Sequence, residues 1–288
     1  MVACRRLPSP WLERDLVTND VDISRPSAAR VYDYFLGGAH NFESDRVLAE
    51  RVLALAPWVR LVTYSNRRFL RRAVQYLVNE AGIRQFLDVG SGIPTAGNVH
   101  TTAHEVDPES RVIYVDVDPV AVAHGRELLA GDGRVLVVEA DLRDVGAVFE
   151  GAAGFLDFTE PVAVLMVSVL LFIPDAQRPD EIVSRYLAPV AEGSYLAISH
   201  VTDEHAVGEL REQAQAVMAA YAVAGTPVVA RSREQITSWF AGVELVEPGV
   251  VFLDDWRPAG EERPPADVAA LSYGGVARKP TTPMGPAA

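Results

Sequence analysis

Three carboxylates, each at the end of an apolar run, carry the chemistry this sequence can be asked to perform. Asp88 lies in Gln85-Phe86-Leu87-Asp88-Val89 and is followed by Gly90-Ser91-Gly92; Asp116 closes Arg111-Val112-Ile113-Tyr114-Val115-Asp116; Asp141 follows the run that ends Val138-Glu139-Ala140. Gly90 and Gly92 can take positive φ and carry no Cβ, so a ligand can lie against the backbone there, and Thr95 is placed to cap a following helix. An acid roughly two dozen residues beyond such a loop is where a nucleotide-binding sheet holds the two hydroxyls of a ribose. The loop departs from the dinucleotide fingerprint, because Thr95 stands at the third glycine and Asp88 precedes the first. A pyrophosphate favours bare backbone donors. An acid at the strand end suits a ligand that carries an ammonium group as well as a ribose.

Bringing these residues together requires a parallel sheet with its connections packed on both faces. From Arg84 onward the chain has that pattern, with strands expected at 85–89, 111–116, 134–139, 162–168 and 195–200 and helices near 120–130 and 180–187. A long helix over 203–224, with Val207, Leu210, Ala214, Val217 and Tyr221 at helical spacing, is expected to pack on the sheet. Ser232-Arg233-Glu234-Gln235 opens another helix as a capping box, and segments 243–246, 250–253 and 271–277 close the sheet with an antiparallel edge. Ahead of the sheet, helices are expected at 28–36, stopped by Gly37-Gly38, from 41 or 44 to 56, and at 61–80. Arg67, Arg68, Arg71 and Arg72 on the third read mainly as a solvated helix face, with Arg67 and Asn66 the better candidates for a ligand. The domain reading is a mobile tail over 1–23, a helical lid over 24–82, a ligand-binding domain over 83–280 and a tail over 281–288.

The segments FLDVGSGIPTAGNVH, VIYVDVDPVAVAH, VVEADLRD, VSVLLFIPD and SYLAISHVT, with VYDYFLGGAHNFESDR and NRRFLRRAV before them, resemble the actinobacterial family of S-adenosylmethionine-dependent methyltransferases first known as a domain of unknown function. The resemblance covers roughly residues 24–280. It implies a class I, Rossmann-like fold: a doubly wound, mostly parallel, seven-stranded α/β sheet. It also implies S-adenosylmethionine as cofactor and S-adenosylhomocysteine as product. On that resemblance Asp88 approaches the ammonium of the methionine moiety, Gly90, Ser91 and Gly92 line its backbone, and Asp116 holds the ribose. Val117 packs on adenine, Asp141 accepts from its amino group, Leu142 offers a backbone donor beside it, and Ser168 and Val169 lie beneath the sulfonium. Tyr64 departs from the family pattern, where Arg is expected. Val167-Ser168-Val169-Leu170 lacks the Asp/Asn-Pro-Pro-aromatic motif of amino methyltransferases acting on DNA.

The reaction itself is less legible. His200, at the end of the fifth strand, is a candidate base or an ordinary strand-end hydrogen bonder. Asp118 reads equally as ligand contact or helix cap. The corner of Tyr34, Gly38 and Asn41 reads as a pocket rim or a structural turn, and Tyr34, Gly38, Asn41, Asn66 and Arg67 are the candidate acceptor contacts. A net charge of −13 opposes nucleic acid as partner, although the first 82 residues are net basic. No run suits a membrane span, the start does not read as a secretory signal, and a cytoplasmic protein is expected. The one cysteine, Cys4, excludes a disulfide framework and a cysteine nucleophile in the body of the chain, and no metal is expected. The leading reading is methyl transfer to a small-molecule acceptor, with a cofactor-binding regulator as the alternative; the oligomeric state is not legible.

Overall fold

The computed structural model describes residues 22–94 and 97–281. The expected tails, apart from residues 22, 23 and 281, and the cap assigned to Thr95 lie outside the described residues. In chain order the elements are α1 (Ala28–Phe35), α2 (Glu43–Leu55), α3 (Val59–Asn79), β1 (Gln85–Val89), α4 (Val99–His104), β2 (Arg111–Asp116), α5 (Pro119–Leu128), β3 (Val135–Glu139), α6 (Val145–Ala152) and β4 (Ala163–Val167). There follow α7 (Pro179–Leu187), β5 (Tyr195–Val201), α8 (Gly208–Val223), α9 (Arg233–Ser238), β6 (Glu244–Leu245), β7 (Val251–Phe252), α10 (Ala266–Ala269) and β8 (Ser272–Arg278).

The strands form one sheet in the order β3-β2-β1-β4-β5-β8-β6, with β7 also paired to β8. Strands β1 to β5 run parallel and β8 runs antiparallel to β5. The segments expected at 243–246 and 250–253 are the short strands β6 and β7, both paired to β8, at Leu245 with Ala277 and at Val251 with Gly274, where the resemblance implied a sheet of seven strands. Pro248 between them has no N–H for the ladder, which breaks an otherwise continuous edge. The sheet therefore has eight strands.

Alternation along β1 decides which wall each side chain joins. Leu87 and Val89 pack on α6 and α7, in a core with Val148, Val183 and Tyr186. Phe86 packs on the opposite face with Phe69, Ala73 and Leu77 of α3 and Val99 of α4. Asp88, two residues from Phe86, belongs to the α3 face. The sheet order reverses at β1, whose neighbours are β2 and β4, so the crevice for a ligand opens at the carboxyl ends of β1 and β4.

Three expectations are corrected. Helix α8 does not lie on the sheet: Val207 is 72% exposed just ahead of it, and Ala220 and Tyr221 join Val31, Phe35, Leu48, Ala49 and Val52 of α1 and α2 in a separate apolar cluster. The small alanines of α8 allow that close approach between helices. The sequence pattern predicts no helix between β3 and β4, but α6 lies there, capped by the Asp144 carboxylate on the Ala147 N–H at 3.1 Å. Its glycines disguise it. A Cβ at Gly151 would come within 2.6 Å of Val138, so glycine is what lets this helix sit against β3. Finally, the arginines of α3 are not one solvated face. Arg72 is buried and donates to the carbonyls of Trp256 at 2.9 Å and Leu253 at 2.7 Å, while Arg68 meets Asp254 at 3.1 Å. Only Arg71, paired with Glu105 at 3.2 Å and half exposed, fits the solvated reading.

Candidate functional site

A cavity of about 580 Å³ opens at the carboxyl ends of β1 to β4, beneath α1 and the first half of α3. Every described residue read from the sequence as a cofactor contact lies on its wall: Asp88, Gly90, Ser91, Gly92, Asp116, Val117, Asp118, Asp141, Leu142, Ser168 and Val169. These come from four strand ends and meet only in the folded sheet.

Gly90 and Gly92 have φ of +71° and +65°. A Cβ on Gly90 would stand 2.1 Å from Cγ2 of Val169, so the loop after β1 and the turn after β4 approach as closely as they do because position 90 is bare. Gly90→Ala is expected to cost about 3 kcal/mol in urea unfolding, from a left-handed conformation and an overpacked contact together. Adding Val169→Ala should recover only the packing part. Full recovery would show that the backbone conformation is without cost.

The acids differ in their tasks. Asp116 accepts from the N–H of Gly92 at 2.8 Å with one oxygen and from the N–H of Asp118 at 2.9 Å with the other. Burial raises its pKa to about 6 against the pull of those bonds. Asp118 caps α5, accepting from Val120 at 2.8 Å and Ala121 at 3.3 Å, and its second oxygen stands 3.8 Å from Arg30. Asp88 is 6% exposed and accepts no hydrogen bond among the described residues. Burial lifts its pKa to about 7, Arg67 pulls it down, and Asp116 pushes it further up. Asp141 is clasped by the Nε of Arg143 at 2.8 and 3.0 Å, which holds its pKa below the usual range.

The basic groups on the wall are likewise unequal. Arg30 is spent on Asp45, 3.0 Å away, and on the Arg25 carbonyl at 2.7 Å. Arg67 lies over the Tyr32 ring at 5.3 Å, and its Nε is buried without a hydrogen-bond partner among the described residues. One cavity thus presents an acid and a base, each short of partners. Ser168, with φ +57°, holds the turn at the end of β4 in a conformation rarely adopted by residues other than glycine.

Several acceptor candidates do not reach this cavity. Tyr34 turns away and donates to Glu50 at 3.1 Å in an exposed position. Gly38 is bare because a Cβ would fall 2.0 Å from the Asp33 carboxylate, and Asn41 donates to that carboxylate at 2.9 Å and to the Gly38 carbonyl at 3.1 Å. That corner is a structural turn tied by Asp33. His200 is corrected too: its Nδ1 meets the Val201 carbonyl at 2.8 Å and its Nε2 meets Nη1 of Arg231 at 2.9 Å. Burial and the neighbouring guanidinium lower its pKa to about 4, so it is a neutral strand-end hydrogen bonder with both nitrogens engaged. Asn66 and Arg67 are on the wall as expected, together with Tyr32, which the sequence reading passed over. Helical phase could have found it: on α1, Tyr32 lies one residue from Val31 and two from Tyr34, on the face between the buried stripe and the solvent.

His100 and His104 stand four residues apart on α4, a spacing that suits metal ligands. Their nitrogens meet the Tyr114 hydroxyl at 2.7 Å and the Ser110 carbonyl at 2.9 Å, and among the described residues no three His, Cys, Asp or Glu are grouped to hold an ion. No helix of the described residues is long and apolar enough to cross a membrane.

The same frame recurs in solved structures. A DUF574 family protein from Streptomyces avermitilis MA-4680 is 38% identical, matches over 90% of this chain and 99% of its own, and superposes with a TM-score of 0.82. A candidate methyltransferase from Thermobifida fusca YX is 37% identical over 95% of this chain and 99% of its own, with a TM-score of 0.84. A possible exported protein from Bordetella parapertussis, 19% identical over 89% of this chain and 81% of its own, shares the fold at a TM-score of 0.55. No curated protein matches the chain. The sequence profile of the S-adenosyl methyltransferases matches residues 14–280, from ahead of α1 through the last strand and hence every part of the cavity described above. With that cavity at the switch point of the sheet and that match along nearly the whole length, the chain belongs to the S-adenosyl methyltransferase family, whose cofactor is S-adenosylmethionine.

Proposed function

We propose that the protein binds S-adenosylmethionine in the cavity at the ends of β1 to β4 and transfers its methyl group to a small-molecule acceptor. The observation that carries this reading is the pair of opposite charges on one wall, a buried Asp88 whose pKa is raised to about 7 chiefly by burial and Arg67 with an Nε that has no hydrogen-bond partner among the described residues. They suit the two ends of an amino acid: Asp88 takes the ammonium of the methionine moiety and Arg67 its carboxylate. The bare backbone of Gly90 to Gly92 lines the same cavity. Asp116 keeps lone pairs for the ribose hydroxyls after serving Gly92 and Asp118. Val117, 63% exposed although apolar, offers a flat wall for adenine together with Leu142, and Asp141 faces its amino group with the lone pairs that Arg143 leaves. The backbone of Ser168 and Val169 closes the end nearest the reacting carbon.

S-adenosylmethionine supplies a methyl group on a sulfonium that is already a good leaving group. The protein's share of the work is therefore positioning and exclusion of water, and no side chain has to act as base. This agrees with the loss of His200 from the candidates. A small acceptor, in the cytoplasm, fits an acidic surface that repels polyanions better than nucleic acid does.

The lid assignment narrows on the same reading. Helix α3 shares the sheet core with Phe86 and Val112, whereas α1, which lines the cavity, rests with α2 and α8 on a separate apolar cluster and is the part free to move. Saturating S-adenosylhomocysteine is expected to slow tryptic cleavage after Arg51, on α2, severalfold. Equal cleavage with and without ligand would remove α1 and α2 from the closure.

The function is tested by calorimetry with S-adenosylmethionine, S-adenosylhomocysteine and NAD, followed by turnover to S-adenosylhomocysteine against fractionated small-molecule extract. Binding of the first two alone, with turnover in at least one fraction, is expected. Failure of both to bind would overturn the reading, and tight binding with no turnover in any fraction would favour a regulator that senses the cofactor.

A further inference from the structure

A second, smaller cavity of about 130 Å³ lies beside the first and shares Tyr32, Asn66 and Ser168 with it. Its other walls come from α1, the start of α3, the end of β5 and α8, and they are largely apolar: Phe35, Trp58, Val62, Val217, Met218 and Tyr221. Its volume is that of a single ring; an apolar cavity of about 150 Å³ is known to hold benzene. Among the described residues no arginine or lysine lines it. The ionisable side chains that do are Asp203, His200, whose two nitrogens are engaged, and the phenols of Tyr32 and Tyr221.

The shared wall is polar and fixed. The Ser199 hydroxyl donates to Oδ1 of Asn66 at 2.5 Å, Nδ2 of Asn66 donates to the Tyr32 hydroxyl at 2.9 Å, and that hydroxyl donates toward the Thr63 carbonyl at 3.4 Å. The chain ties β5, α3 and α1 together at the one place where the two cavities meet. Ser168, in its left-handed conformation, turns β4 around the same point. A strained residue and a closed hydrogen-bond chain at a junction between cavities are what a transfer site needs to hold two molecules in register.

We infer that the second cavity is the acceptor site and that it takes an uncharged, ring-bearing small molecule, seated with its nucleophilic heteroatom toward Tyr32, Asn66 and Ser168. This rests on the methyltransferase reading given above. In the transfer, a lone pair on that heteroatom forms the new bond to carbon as the carbon–sulfur pair returns to sulfur, and any proton on the heteroatom passes to water. An anionic acceptor is disfavoured because the wall offers no cation and carries Asp203. Asp203 alone, on walls otherwise largely apolar, gives a charged ammonium group little to replace its water.

Phenol, indole, benzoate and benzylammonium, each titrated into the full chain saturated with S-adenosylhomocysteine and followed by ligand-observed NMR, read the site directly. Phenol or indole is expected to bind, with benzoate and benzylammonium at least tenfold weaker. Ala214→Phe, which fills the cavity from α8, is expected to weaken the ring compounds at least tenfold and to leave S-adenosylhomocysteine affinity within threefold. Met218→Trp fills the same space from a less buried position and serves if Ala214→Phe does not fold. Binding of S-adenosylhomocysteine with no response to phenol or indole, equal response to all four probes, or ring binding that survives both variants would overturn the inference and leave the cofactor site standing. Failure of S-adenosylhomocysteine to bind the unaltered protein would overturn the underlying reading instead.

Discussion

Asp116→Ala is expected to weaken S-adenosylhomocysteine binding about a hundredfold while leaving the chain folded. Two hydrogen bonds from ribose hydroxyls to a buried carboxylate are lost, and bonds of that kind contribute about 1.5 kcal/mol or more each. The same carboxylate holds the N–H of Gly92 and the N–H of Asp118, so its removal also loosens the loop that the ligand's backbone lies against. The effect on folding is smaller because deleting a buried acid also deletes its desolvation cost, seen in the rise of its pKa to about 6. Calorimetry gives the affinity, and thermal melting followed by circular dichroism checks the fold. An affinity within threefold of the unaltered protein would take Asp116 out of the site.

The second large effect is on pH. Asp88 has a pKa raised to about 7 in the ligand-free protein, chiefly by burial, and an ammonium ligand binds its ionised form. Affinity for S-adenosylhomocysteine should then fall as pH drops below 7, by up to about tenfold per unit, and so approach a hundredfold between pH 7 and pH 5. Asp88→Asn should bind weakly throughout that range and flatten the profile. A profile unchanged by Asp88→Asn would place the titrating group elsewhere.

Stability runs the other way. Asp88 and Asp116 both have folded pKa values above their ordinary value of 3.8, so the folded, ligand-free protein holds protons that the unfolded chain gives up. Their contribution to stability is complete below about pH 4 and is lost as pH rises through 6 to 7. A ligand that binds the ionised form returns it. The rise in melting temperature on adding S-adenosylhomocysteine should therefore be larger at pH 7.5 than at pH 5, and a larger rise at pH 5 would contradict the assignment of Asp88 to the ammonium.

Much of the candidate cofactor site was legible in the sequence alone, because its residues occupy fixed positions relative to strands. An acid at the end of an apolar run, a glycine that must take positive φ and a cap before a helix are local statements, and β1, β2 and β3 place Asp88, Asp116 and Asp141 at one edge of any parallel sheet they build. The capping box at Ser232 and the helix stop at Gly37 are local in the same sense. What the sequence could not determine is whatever depends on contact between distant segments. His200 at a strand end has the pKa of a base until burial lowers it and Arg231, brought from beyond α8, occupies its nitrogen. Gly38 and Asn41 are a pocket rim until the Asp33 carboxylate is seen to claim them. The arginines of α3 share one helical stretch, yet tertiary structure gives Arg72 to the turn at Leu253, Arg68 to Asp254 and Arg71 to Glu105, and leaves Arg67 short of partners beside Asp88. Local sequence sets where a side chain sits on its own element; which charges meet, which are spent and which remain for a ligand is decided by packing between elements far apart in the chain.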